Sequence, residues 1–265
     1  MTAGGANVVG ATPSMSDRQR LIGIERAAVS AWPASETREV DGWLWRYSGG
    51  GSQRANSVSA LHYRGSDVER TIDAIERLYG ERGAPVRFQV GFPLSEPGDL
   101  DERLAARGYL IHDPVTTLVK PVASVALPAH VTLSDDPSEG WMEVYLSNLT
   151  PDRRPFAADI LGRVPAPRVF AEARRNGESI ATALGVLCED AVIAECVGTS
   201  VAARRQGAAS AVMEALECWG AKRGARTIGL QAVTTNAPAQ GLYAALGYSA
   251  AGTYHYRFLA EGAGR

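Results

Sequence analysis

Lysine, cysteine, histidine and long apolar runs are all scarce in this 265-residue chain, and each scarcity removes a class of explanation. Only two of the 27 basic residues are lysine, Lys120 and Lys222, and the net charge is −2. Such a balance gives no global field for a phosphate backbone or an anionic bilayer, so neither nucleic acid nor a membrane is an expected partner. The three cysteines, Cys188, Cys196 and Cys218, have gaps that match neither a disulfide framework nor a zinc pattern. A reducing, cytoplasmic compartment is therefore expected. His62, His112, His130 and His255 show no ligand spacing, and no metal site is expected. No stretch approaches 18 consecutive apolar residues, the minimum for a spanning helix. The segment Met1 to Ser16 is rich in Gly, Ala and Ser, lacks the cationic start and apolar run of a signal peptide, and reads as a mobile tail. What is present is an ordinary globular mixture, 45% hydrophobic and 21% charged, long enough for one large domain or two small ones.

Periodicity divides the chain into two similar halves. A helix is expected from about Asp17 to Ala31, where Leu21, Ile24 and Ala28 share a face and Trp32-Pro33 ends it. Strands at Gly42–Ser48 and Arg54–Leu61, joined by a Gly49-Gly50-Gly51 turn, lead to a helix at Asp67–Gly80. A strand at Val86–Val90, a helix at Leu100–Ala106 stopped by Gly108, and a strand at Tyr109–Val119 complete a ββαβαβ order. Residues 121–129 read as a linker. Beyond it come helices at Glu139–Leu149 and Asp152–Val164, then a meander of Val169–Arg174, Ile180–Cys188 and Ala191–Gly198 whose first turn carries Asn176-Gly177. A helix at Ala208–Arg223, a strand at Thr227–Val233, a helix at Pro238–Leu246 and a strand at Gly252–Leu259 finish the chain. Ala105-Ala106-Arg107-Gly108-Tyr109 and Ala244-Ala245-Leu246-Gly247-Tyr248 are both A-A-x-G-Y, 139 positions apart, each ending a helix and starting a strand. The expected architecture is thus two related halves, residues 17–120 and 130–265, arisen by duplication.

One segment carries chemistry. Thr199 to Ala209 joins a strand to a helix and contains Arg204, Arg205 and Gly207. Small residues at a helix mouth leave backbone N–H groups uncovered, and with the helix dipole these favour an anion such as phosphate. Neither a G-x-G-x-x-G motif nor a Walker lysine is present.

Arg204-Arg205-Gln206-Gly207-Ala208-Ala209 resembles the R/Q-x-x-G-x-G/A loop of the GNAT superfamily of acyl-CoA-dependent N-acyltransferases. Asn236-Ala237-Pro238-Ala239-Gln240-Gly241-Leu242-Tyr243-Ala244-Ala245-Leu246-Gly247-Tyr248 resembles the family's N-x-x-A-x-x-L-Y-x-x-x-G-F/Y segment. The good match covers roughly Val131 to Leu259, and the first half resembles a degenerate second copy, a layout that mycothiol synthases and other tandem members share. The resemblance implies an α/β (α+β) fold with a mixed, mostly antiparallel central sheet flanked by helices. It also implies acetyl-CoA as cosubstrate, with the pyrophosphate on the amides of Arg205, Gln206, Gly207, Ala208 and Ala209, and Arg204 adding charge. The pantetheine arm would pair with the backbone of Val197 and Thr199, Asn236 would touch the cofactor, and Tyr243 would be the general acid that protonates the leaving thiolate.

The residues keep other readings beside these. Core packing is the other reading of Tyr243, and Asn236 can cap the following helix alongside a cofactor contact. Glu195 has the same strand parity as Val197 and is a candidate base, acting directly or through water; pairing with an arginine, or exposure at a sheet edge, is its other reading. Cys196, of opposite parity, is expected in the core; His255, between two tyrosines on the last strand, reads as structural, with a place in an acceptor pocket as its other reading. In the first half Leu104 stands where Tyr243 does, and acidic Asp67 and Glu69 fall near the phosphate-loop register. No cofactor is expected there. Trp43, Trp45, Arg46, Arg54 and Asn56 form a polar and aromatic set that either packs in the core or shapes an acceptor pocket. The expectation is an acetyl-CoA-dependent N-acetyltransferase, monomer or homodimer, acting on a primary amine of a small molecule. A protein or peptide amine, or non-catalytic acyl-CoA binding, are the alternatives.

Overall fold

A computed structural model describes residues 15–259. Helix α1 (Met15–Ala31) begins inside the segment read as a tail, the rest of which lies outside the described residues. The first half continues with β1 (Glu36–Val40), β2 (Trp43–Tyr47), β3 (Val58–Ser59), α2 (Val68–Gly80), β4 (Val86–Phe92), α3 (Leu100–Ala106) and β5 (Leu110–Pro121). The second half holds β6 (Val131–Ser134), α4 (Glu139–Ser147), α5 (Ala157–Arg163), β7 (Arg168–Arg175), β8 (Glu178–Cys188), β9 (Ala191–Thr199), α6 (Ala208–Ala221), β10 (Thr227–Val233), α7 (Ala237–Ala245) and β11 (Ser249–Leu259).

The first hairpin differs from expectation. It joins β1 to β2 through Asp41-Gly42, both at positive φ (50° and 89°), as a two-residue hairpin turn requires. Gly49-Gly50-Gly51 closes no hairpin. The run lies under Phe156 of the second half, where a Cβ on Gly50 or Gly51 would come within 2.6 or 2.4 Å of that side chain. Two strands were not foreseen. β1 is charged and almost wholly exposed along a sheet edge, so no apolar alternation marks it, and β6 has only four residues.

All eleven strands form one sheet in the order β1-β2-β3-β4-β11-β5-β10-β9-β8-β7-β6. Among the described residues only β3–β4 and β9–β10 pair in parallel. The halves exchange their last strands: β11 lies between β4 and β5, and β5 lies between β11 and β10. Helix α6 packs on one face of the second half against Val192, Ile228 and Leu230. On the opposite face α1, from the first half, joins α4 and α5 over Phe170, Leu184 and Ile193. The first half keeps a core of its own, with Trp43, Trp45, Ile72, Phe88 and Leu104 fully buried, which assigns both tryptophans to packing. Lys120 at the end of β5 is tied to Glu217 of α6 by a 2.6 Å ion pair in which Glu217 is only 2% exposed, so one of the two lysines fastens the halves together.

Candidate active site

Strand β9 runs parallel to β10 over Ala191–Ile193 and then parts from it. Beyond Ile193 its edge has no strand neighbour on the β10 side, so backbone groups there are open to an extended ligand. Opposite β8, the step from Glu195 to Gly198 spans one residue more than the step from Thr182 to Leu184. The extra residue is a bulge at Cys196, whose φ is +53° and whose carbonyl accepts from Thr182 Oγ1 at 3.2 Å. The bulge breaks the alternation, so strand parity does not hold between Glu195 and Val197. Cys196 is half-buried rather than enclosed, and with Glu195, Val197 and Gly198 it lines a hollow of about 170 Å³ at the strand end. Burial, and then the Glu195 carboxylate, push the Cys196 thiol up, which keeps it protonated and a poor nucleophile.

After β9 the chain makes a short 3₁₀ turn, Val201–Ala203, passes Arg205 at φ +61° and Gly207 at φ +81°, and enters α6. Gln206 braces this loop, donating to Ala202 O at 2.9 Å and accepting from Arg175. Gly207 gives α6 no side-chain cap, and a Cβ built on it would meet no heavy atom within 4 Å. The first N–H groups of α6 therefore lack a side-chain cap at the positive end of the dipole. Arg204 and Arg205 are exposed beside them and make no ion pair among the described residues. This arrangement fits a pyrophosphate.

Tyr243 on α7 is 6% exposed and packs edge-on against Tyr248, centroids 5.7 Å apart. Its hydroxyl has no hydrogen-bond partner among the described residues. Burial, with the Glu195 charge second, pushes its pKa up to about 12, so the hydroxyl holds its proton at neutral pH. The ring is core and the proton is kept, so the two readings of Tyr243 are compatible. Asn236 caps α7, accepting from Ala239 N at 3.2 Å.

Glu195 is 8% exposed, and both of its oxygens are taken by Arg54, with Nη1 donating to Oε1 at 2.7 Å. The arginine pairing foreseen as its other reading is thus present. Arg54 stands 141 positions earlier, in the 3₁₀ turn Arg54–Asn56 of the first half, and sequence spacing carried no signal of the meeting. Arg54 also donates to Gln231 Oε1 at 3.2 Å, and Gln231 Nε2 donates to Glu25 Oε2 at 2.8 Å. Glu25 on α1 further accepts from Thr117 and from Gln89 at 3.3 Å, and burial raises its pKa. A buried polar chain therefore crosses six secondary-structure elements beneath the site.

Above that chain opens a cleft of about 700 Å³. The first half supplies Gly49 to Ser52, Arg87 and Asp113 to its walls, and the second half supplies Thr150, Gln231 and Tyr254. Arg54 and Arg153 line both this cleft and the hollow beside Cys196, so the two spaces adjoin. Of the polar and aromatic set on the first half, Arg54 and Asn56 reach the cleft, while Arg46 is buried on Ser57 and Gln89. His255 lies outside both spaces and contacts Asp101 Oδ1 at 2.7 Å; Arg257 binds the same carboxylate, tying α3 to β11. Among the described residues no group of three His, Cys, Asp or Glu converges as a metal site, and no helix is long and apolar enough to cross a membrane.

Residues 20–259 match the family described as the C-terminal region of the probable histone acetyltransferase Rv0428c. An uncharacterized N-acetyltransferase of Bacillus subtilis, YobR, is 30% identical over 249 residues, 88% of this chain and 96% of its own. The Mycobacterium tuberculosis protein Rv0428c, a probable histone acetyltransferase, is 30% identical over 137 residues, 49% of this chain and 39% of its own. Among solved structures, a GCN5-related N-acetyltransferase from Kribbella flavida superposes with a TM-score of 0.65 at 15% identity, covering 93% of this chain and 96% of its own. A tandem GNAT protein from the clavulanic acid biosynthesis pathway gives 0.62 at 14%, covering 96% and 90%. At such identities the likeness is one of fold.

Proposed function

The chain belongs to the Rv0428c C-terminal family of GNAT-type N-acetyltransferases, and from that premise we propose that it moves the acetyl group of acetyl-CoA to a primary amine of a small molecule by direct attack. The observation that carries this reading is adjacency. The parted end of β9, which continues through a short turn into the uncapped mouth of α6, lines a hollow that shares Arg54 and Arg153 with an open cleft.

Bound acetyl-CoA supplies an activated thioester. The amides of Arg205, Gln206, Gly207, Ala208 and Ala209 would hold its pyrophosphate, with Arg204 and Arg205 at the rim and Asn236 beside them. The open edge of β9 at Val197 and Thr199 would hold the pantetheine arm, and a bulge-exposed N–H there is suited to polarise the carbonyl, where negative charge develops. The amine enters from the cleft and must be neutral. Its nitrogen bonds to the acyl carbon as the carbon–sulfur bond breaks, and Tyr243 gives its proton to the departing sulfur. Glu195, clamped by Arg54, takes the amine proton through water rather than by direct contact, because both oxygens are already bonded.

One observation favours a second reading, a protein amine as acceptor: the Mycobacterium tuberculosis relative is described as a probable histone acetyltransferase. Release of free thiol from acetyl-CoA, measured across amines, amino acids, polyamines and histone-tail peptides, decides between them. Turnover with small amines alone is expected. Turnover with peptides alone favours the second reading, and binding of acetyl-CoA without turnover on any acceptor leaves a binding protein.

A further inference from the structure

The cleft holds uncompensated polarity of a particular kind. Among the described residues four buried side-chain polar atoms have no hydrogen-bond partner, and two of them, Arg87 Nε and Gln53 Oε1, belong to residues that line the cleft. Leaving such an atom unpaired is costly, so each calls for a partner that binding supplies. Arg87 spends one N–H, from Nη1, on Asn56 O at 3.2 Å and stacks on Phe258 at 5.3 Å, with no acid in ion-pair range. The contrast with Arg54 in the same wall, fully engaged by Glu195, is plain. The acids that share the cleft do not neutralise Arg87: Asp113 is bonded by Gln53 and by His112 Nδ1 at 3.2 Å, and Asp152 is stabilised by Thr150.

We propose that Arg87 is the anion-binding residue of the acceptor site and that the acceptor is an amino acid, its carboxylate on Arg87 and its amine turned toward the Arg54–Glu195 wall. A guanidinium with two N–H sides unspent matches a planar carboxylate. Asp113 and Asp152 line the same cleft, and their carboxylates oppose a doubly charged phosphate more than a singly charged carboxylate. Gln53 Oε1 accepts from a donor on the same ligand. This assignment rests on the acetyl-transfer reading and adds the class of acceptor to it.

The experiment compares three matched acceptors by thiol release: an amino acid, the amine left when its carboxylate is removed, and the aminophosphonate of the same length. Wild-type protein should prefer the amino acid over the decarboxylated amine by about 10–100-fold in kcat/KM, the worth of a charged hydrogen-bonded contact. Arg87→Gln should remove that preference through KM for the amino acid, with the KM for acetyl-CoA unchanged, and Arg87→Lys should restore part of it. Calorimetry with the N-acetyl amino acid reads the same contact without turnover, so a protein that binds this product only with Arg87 present but transfers nothing sinks the transfer reading and keeps the site. Equal rates with and without the carboxylate, preference for the phosphonate, or unaltered preference in Arg87→Gln each overturn the proposal.

Discussion

The two halves of this protein run the same turn twice and use it differently. At the end of α3, Gly108 (φ +84°) lets Tyr109 N reach Leu104 O at 3.0 Å; at the end of α7, Gly247 (φ +83°) lets Tyr248 N reach Tyr243 O at 3.0 Å. The backbone is reproduced to within a degree or so at the glycine, yet Leu104 fills a core while Tyr243 retains a proton beside Glu195. The same divergence appears where each half passes from strand to helix. Asp67 caps α2 with its own carboxylate, accepting from Glu69 N and Arg70 N at 3.1 and 3.2 Å, whereas Gly207 leaves α6 uncapped. The first half therefore seats an internal anion where the second has room for an external one. The two helix entries differ by one capping residue, Asp67 against Gly207.

The comparison breaks most completely if the halves are separated. Residues 130–265 alone lose β4 and β5, the two neighbours of β11, and the α1 face that covers Phe170, Leu184 and Ile193. Loss of cooperative thermal unfolding is expected by circular dichroism, and a sharp transition in that fragment would show the halves to be independent. Next in size, Tyr243→Phe should lower kcat by about 10²–10⁴-fold with the KM for acetyl-CoA unchanged, while Leu104→Met leaves kcat untouched. Because Tyr243 keeps its proton until about 12, it produces no fall in kcat between pH 7 and 10. The unfolded chain releases the same proton near the ordinary value of 10, so between 10 and 12 the folded state binds more protons and stability falls as pH rises, which alkaline denaturation monitors. Gly207→Glu should weaken acetyl-CoA binding by about 100-fold or more in calorimetry, a carboxylate then facing the pyrophosphate. The smallest effect belongs to Asp67→Ala, about 1 kcal/mol of stability from the lost cap, with acetyl-CoA affinity unaltered.

Much of this was legible from residues in a row. The limits of α3 and β10 agree with the periodic pattern, and Asn176-Gly177 turns with both residues at positive φ. The uncapped helix mouth at Gly207 was legible too, because it is a local object made by consecutive residues. Glu195 was not: its partner Arg54 arrives from 141 positions away, and the bulge at Cys196 shifts the faces that parity assigned. Nor did any pattern mark the lone charge of Arg87, since an arginine's acid partners are set by packing.

The sequence by itself determined the repeated helix–glycine–strand turn, the order of the elements apart from β1 and β6, and the uncapped turn into α6, since each depends on near neighbours and on the φ that glycine allows. Only the tertiary structure decided that the halves exchange β5 and β11 within one sheet. Strand pairing is chosen by burial on both faces rather than by adjacency in the chain. That exchange brings Arg54 onto Glu195 and closes the cleft from two sides.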